Sequence, residues 1–332
     1  MTGLQVVLLF ASCAAVIVYT GTRLSFYGDA IADRSGLGQA WIGVVAMASV
    51  TSLPELVTGA SAVTMVGAPD IAIGDVIGSC MFNLLLLAGL DLLSPRPLLS
   101  RVRTAHTLTA AIGAMLLAVV AMGLSAAGRV PAIGWVGGTS AVLTGGYLLG
   151  VRAVFLHERR TGADLLVDEP AVERHTRITL RTAVTWYLVN AVVLVAAAVN
   201  LPALAAAMAD MAGVSQGFLG TTLVALSTSL PELVVSIAAA RLGAWDMAVA
   251  NVLGSNLFNV AILAVDDLLY VRGPLLAGAD PGHAVTAAAA ATMSAIVVCA
   301  LVYRTPARIG RMSWASIALV AVYLAGVALS AH

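Results

Sequence analysis

The sequence predicts an all-α integral membrane protein in which ten transmembrane helices form two five-helix repeats of opposite orientation. Three observations carry that prediction. First, 60% of the 332 residues are hydrophobic and only 10% are charged, against about 25% charged in ordinary soluble domains. Second, the apolar residues gather in runs long enough to cross a hydrocarbon core about 30 Å thick, which takes roughly 20 helical residues. Third, the heptapeptide Thr-Ser-Leu-Pro-Glu-Leu-Val occurs twice, at 51–57 and 228–234. Composition also excludes other classes. The 17 basic residues, all arginine, balance 17 acidic ones, which argues against a basic nucleic-acid surface and against an acidic tail. Cys13, Cys80 and Cys299 lie in apolar runs without CxxC spacing and so give neither a disulfide framework nor a zinc site.

The apolar runs cover 4–24, 38–66, 70–93, 105–124, 132–154, 181–205, 216–241, 246–269, 284–303 and 313–331. The first lacks a basic leader and a cleavage site, so it reads as a span rather than a signal peptide. All are long, continuous and rich in Gly and Ala, which suits close helix packing in lipid and not the short alternating strands of a barrel. With loops on alternating sides, every arginine except Arg129 and Arg272 falls on one side. The positive-inside rule makes that side cytoplasmic and places both termini outside. The central stretch His157–Thr179 is polar and carries both charge signs. The chain therefore divides into a first five-helix repeat at 1–154, a cytoplasmic linker at 155–180 and a second, inverted repeat at 181–332.

The repeat extends beyond the heptapeptide. At the same offset of 177, Asp33 pairs with Asp210, Gly36 with Gly213, Gln39 with Gln216, Gly43 with Gly220, Ala48 with Ala225 and His106 with His283. At an offset of 176, the segment 74–83 (GDVIGSCMFN) pairs with 250–259 (ANVLGSNLFN). The motifs thus occupy 48–57 and 74–83 in one half and 225–234 and 250–259 in the other. An odd number of spans per half turns the second half upside down, an architecture of transporters with a site at the midplane between repeats.

Glu55 and Glu232 lie about halfway along the second and seventh spans. A carboxylate at that depth costs at least about 2.5–3.5 kcal/mol on insertion scales and is kept for function. Pro54 and Pro231 precede them; each removes a donor and frees a carbonyl one turn earlier. Thr51, Ser52, Thr228 and Ser229 add hydroxyls. In the third and eighth spans, Gly78 and Gly254 let the helix break or approach a neighbour, while Ser79 with Asn83 and Ser255 with Asn259 are four apart on one helix face. Helices 2, 3, 7 and 8 are therefore expected to be broken around a midplane ion site. Two carboxylates, two amides and several hydroxyls and carbonyls form a hard-cation set, suited to Ca²⁺, Na⁺ or Mg²⁺, and the flexible, many-oxygen character favours Ca²⁺ over Mg²⁺.

TSLPEL followed by GSxxFN, twice and inverted over ten spans, resembles the cation/Ca²⁺ exchanger superfamily, and within it the prokaryotic Na⁺/Ca²⁺ exchangers. The resemblance covers essentially the whole chain. It implies an antiporter of a prokaryotic plasma membrane, not an enzyme, with one Ca²⁺ site built from Glu55 and Glu232 and the carbonyls and hydroxyls of Thr51 and Thr228. It implies flanking Na⁺ sites at Ala48, Thr51 and Ser79 and at Ala225, Thr228 and Ser255, with Asn83 and Asn259 completing the centre. Alternating access would come from the first and sixth spans sliding across the rest. No cofactor and no obligate protein partner are implied; the partners are Ca²⁺, Na⁺, H⁺ as a further candidate, and the bilayer. Departures from the pattern fall near the site. Cys80 stands where the other half has Asn256, Asp75 where it has Asn251, and Val50 and Ser227 where a glycine is usual. Asn259 stands where potassium-dependent relatives use an acid, which disfavours K⁺ co-transport. Asp75 is expected either to tune the site or to face water at a helix end.

Rival readings stay open at this level. Ca²⁺/H⁺ antiport is possible because two glutamates can also carry protons, although proton-coupled relatives lack Thr-Ser before Pro-Glu. A cation channel can share such oxygen rings, but inverted halves favour a carrier. A membrane hydrolase would want a histidine buried beside a serine, whereas all five histidines fall at span ends or in loops. His106 and His283 are expected to make interface hydrogen bonds, Asp33 and Asp210 to cap helices, and Asp91, Asp266 and Asp267 to be solvated at span ends.

Overall fold

Apolar runs separated by Gly, Pro and Arg leave the backbone one way to satisfy itself in lipid, which is helix. The computed structural model describes residues 3–126, 128–165, 178–211 and 226–330, without the side chains of 159–165, 209 and 210. The helices are α1 (Gly3–Ser35), α2 (Gln39–Val66), α3 (Pro69–Leu93), α4 (His106–Ser125), α5 (Gly138–Leu165), α6 (Leu180–Met208), α7 (Leu230–Arg241), α8 (Trp245–Leu269), α9 (His283–Tyr303) and α10 (Trp314–Ser330). Eight of these, all but α7 and α10, contain a stretch long and apolar enough to cross a membrane. The start of the expected seventh span, 216–225, lies outside the described residues, and with it Ala225, Gly220, Gln216 and Gly213.

Three boundaries differ from expectation. α1 runs on to Ser35, so Asp33 sits inside its last turn and not at a helix N-cap. The fifth span begins at Gly138, because 132–137 forms a hairpin of β1 (Ala132–Ile133) and β2 (Val136–Gly137). Most importantly, α3 and α8 are unbroken over 25 residues each, against the expectation that they would be interrupted. Gly254 serves the other role open to it, the approach of a neighbour. A Cβ on Gly254 would come within 2.6 Å of the Val44 backbone, so Gly254 lets α2 cross α8 closely.

α2 is interrupted as expected. Ser52 leaves helical geometry (φ −91°, ψ 7°) just before Pro54, and Ser229 does the same (φ −82°, ψ 5°) just before Pro231. α2 also carries π-helical turns at Ile42–Met47 and Ala62–Val66, a geometry that often accompanies functional sites.

Equivalent features recur across the halves. A second hairpin, β3 (Arg308–Ile309) with β4 (Met312–Ser313), precedes α10 as the first precedes α5. Both turn on a glycine with positive φ, Gly134 at 65° and Gly310 at 64°, as two-residue hairpin loops require. α3 and α8 pack together at the centre, with α2 and α7 across them; α4 lies on α9, and α1 on α6. α1 and α6 turn Leu4, Leu8, Val18, Leu188 and Val192 outward, as lipid-facing helices do.

Candidate cation-binding site

Each half brings its chemistry to the same place by the same local device. The proline after Ser52 and Ser229 interrupts the helix, and the next helical turn opens with Glu55 or Glu232. A helix N-terminus favours a negative group there. Ala48, Thr51, Ser52, Glu55, Ser79 and Asn83 from one half, and Thr228, Ser229, Glu232, Ser255 and Asn259 from the other, are all completely buried.

Their contacts cross between halves. Ser52 Oγ donates to Glu232 Oε1 at 2.9 Å, and Ser229 Oγ donates to Glu55 Oε1 at 3.4 Å. Thr51 Oγ1 and Ser255 Oγ stand 3.3 Å apart, as do Thr228 Oγ1 and Ser79 Oγ. Thr51 also donates to the Ala48 carbonyl at 3.3 Å. Ser79 lies against Glu55, and Thr51 and Ser255 lie against Glu232. The sequence-selected residues that are described therefore converge on one centre.

The centre holds more acceptors than donors. Among the described residues, Glu55 Oε2 and Glu232 Oε2 have no hydrogen-bond partner, and neither do the amide oxygen and nitrogen of Asn83 and of Asn259. Buried polar atoms are normally paired, and an uncompensated buried carboxylate costs several kcal/mol. Four oxygens on four helices without donors fit a hard cation. Among the described residues, no group of three or more His, Cys, Asp and Glu side chains forms a softer metal cage.

Several acids differ from expectation. Asp75 is only 4% exposed and accepts from Thr228 Oγ1 at 3.1 Å, so it neither faces water nor ends a helix. Asp91, Asp266 and Asp267, expected to be solvated, are enclosed at 1%, 0% and 1% exposure. Asp91 accepts from Leu98 N (2.7 Å), Ser313 N (2.8 Å) and Ser316 Oγ (2.7 Å). Asp267 accepts from Leu275 N (2.5 Å), Gly137 N (2.8 Å) and Ser140 Oγ (2.5 Å). Each aspartate thus pins its own loop and the hairpin of the other half. The signal was available, since Asp91 and Asp267 stand at the offset of 176 that relates α3 to α8.

The histidines meet their expectation of interface bonding. His106 Nε2 donates to Asp246 Oδ1 at 2.8 Å, and His283 pairs with Asp70 at 3.3 Å.

Fold and centre together define a multi-spanning membrane protein built around a buried, acidic, oxygen-rich core. The chain belongs to the sodium/calcium exchanger protein family, whose profile matches residues 5–157 and 182–331. It is similar to the inner membrane protein YrbG of Escherichia coli K12, at 30% identity over 75% of this chain and 74% of that one. It is similar to the sodium/calcium exchanger MaX1 of Methanosarcina acetivorans at 49% identity, over 19% of this chain and 18% of the relative. Among solved structures, it is similar to the sodium-calcium exchanger NCX_Mj, with a TM-score of 0.75 and 25% identity over 98% of this chain and 99% of that one.

Proposed function

We propose that this protein is a secondary antiporter that exchanges Ca²⁺ for Na⁺ across a prokaryotic plasma membrane by alternating access. The observation that carries the reading is the set of partnerless buried oxygens on Glu55, Glu232, Asn83 and Asn259. Their charge of −2 matches one Ca²⁺, with Thr51 and Thr228 adding oxygens. Na⁺ is assigned to flanking positions at Ala48, Thr51 and Ser79 and at Ala225, Thr228 and Ser255, where neutral oxygens dominate. Ser52 and Ser229 hold the two carboxylates and would be released or shared as ions arrive. Membership in the exchanger family and the arginine asymmetry support ten spans with both termini outside the cytoplasm. α1 and α6 pack on each other at the periphery, and they are assigned the sliding motion that opens the centre to one side and then the other.

The test is ⁴⁵Ca²⁺ uptake into proteoliposomes driven in turn by a Na⁺ gradient and by a pH gradient. Na⁺-driven, saturable uptake is expected. Uptake that ignores Na⁺ and follows pH replaces the reading with Ca²⁺/H⁺ antiport, and non-saturating flux replaces it with a channel.

A further inference from the structure

The two halves differ sharply one turn away from the centre. In the second half, Asn251 Nδ2 donates to Ser236 Oγ at 3.0 Å. Asn251 corresponds to Asp75 at an offset of 176, and Ser236 corresponds to Gly59 at 177. The first half therefore replaces a neutral, hydrogen-bonded pair with a carboxylate and a missing side chain. The space beside Gly59 is filled by Asp266, whose carboxylate would collide with any Cβ there. The position equivalent to Asp266 in the first half is Leu90, a buried leucine. Asp266 is fully enclosed, and neither of its carboxylate oxygens has a partner; Asp75 Oδ2 has none either. Asp75 is among the acidic neighbours of Asp266. By the repeat, Asp75 stands toward Gly59 as Asn251 stands toward Ser236, and Asp266 occupies the space at Gly59; two such carboxylates with three oxygens lacking any donor are poorly compensated by protein.

Their place in the fold gives them a direction. Asp75 lies one turn before Ser79, toward the start of α3, and Asp266 lies three residues before the end of α8. Both ends open on the face that carries Arg129 and Arg272, opposite the arginine-rich face. Arg272 rests over Gly67 on that face and pairs with neither acid among the described contacts.

We infer that Asp75 and Asp266, the latter seated against Gly59, form a second cation site, which receives a hard divalent cation between the arginine-poor face and the Glu55–Glu232 centre. The inference rests on the exchange reading above for the identity of the cation. The neutral Asn251–Ser236 pair seals the equivalent route on the other face, so the acidic approach exists on one side only.

Equilibrium ⁴⁵Ca²⁺ binding to the purified full chain tests it. The double variant Glu55→Gln, Glu232→Gln is expected to keep one Ca²⁺ per chain. Adding Asp266→Asn should weaken that remaining binding by at least about tenfold. Asp75→Asn, which installs the amide of Asn251, should weaken it too and serves where Asp266→Asn fails to fold. A double variant that binds no Ca²⁺, or residual binding that neither substitution changes, overturns the second site. If the wild-type chain exchanges Ca²⁺ for Na⁺ while the double variant binds nothing, only the second site fails. If the wild type does not exchange but the double variant binds, the exchange reading fails and the site stands.

Discussion

At the arginine-rich face, His106 and Asp246 meet with the histidine 1% exposed, and Arg103 adds its backbone N–H to Asp246 at 2.7 Å and its guanidinium to Glu158 at 3.1 Å. At the opposite face, the equivalent His283 and Asp70 are 22% and 54% exposed, and the Asp280 N–H, at 2.7 Å, joins them. The contact is the same; the burial around it is not. Further in, the Asp91 and Asp267 clasps share the same three bonds, with Arg308 added to Asp91 at 3.4 Å, yet Asn251–Ser236 faces Asp75–Gly59. The equal features are scaffold, since they repeat wherever the backbone repeats. The unequal ones give the molecule a direction, because a symmetric carrier would treat its two faces alike.

The largest expected effect tests the equal part. Glu55→Gln and Glu232→Gln should each abolish Ca²⁺ transport, since removing one charge of a buried set costs about 3–5 kcal/mol, or more than about a hundredfold. Retention of full transport by either one breaks the two-glutamate centre. Acidification acts through the same pair: carboxylates must be deprotonated to hold a metal, so Ca²⁺ affinity should fall as pH falls, as read by isotope binding.

Next come the clasps. Asp91→Ala and Asp267→Ala should each lower stability by about 3 kcal/mol, since every hydrogen bond to a charged group is worth about 1.5–3. Thermal unfolding in detergent checks whether the two losses match. A large loss at one aspartate alone would show that the clasps are not equivalent.

The latches should separate. His106→Ala should cost about 1–3 kcal/mol because it strips a buried donor, and His283→Ala less than about 1 kcal/mol because its pair is exposed. Equal losses would mean that burial does not distinguish the faces. The smallest effect concerns the amides. Asn259→Asp adds a third charge and should tighten Ca²⁺ binding severalfold, and Asn83→Asp should do the same if the centre is symmetric.

Much of this was legible in the sequence, for identifiable reasons. Insertion in lipid demands long apolar runs, so the spans could be counted. The duplicated TSLPELV and GSxxFN marked the residues that converge, because a carboxylate in such a run has no cheap alternative to function. Two local rules misled. Glycine beside serine allowed either a break or a close approach in α3 and α8; both helices are continuous, and Gly254 makes room for a crossing helix. Aspartates near helix ends suggested solvent, where loops and hairpins fold back over them.

The chain order alone settles the class of protein, the repeat and the acidic centre, because each follows from hydropathy and from spacing within a few dozen residues. It cannot settle which atoms meet across the halves. Ser52 with Glu232, Asp91 with Ser316 and Asp266 with Gly59 are separated by 180, 225 and 207 positions. Such pairs exist only once two inverted units have packed, and packing turned Asp75 and Asp266 from ordinary helix-end acids into buried, unpaired charges.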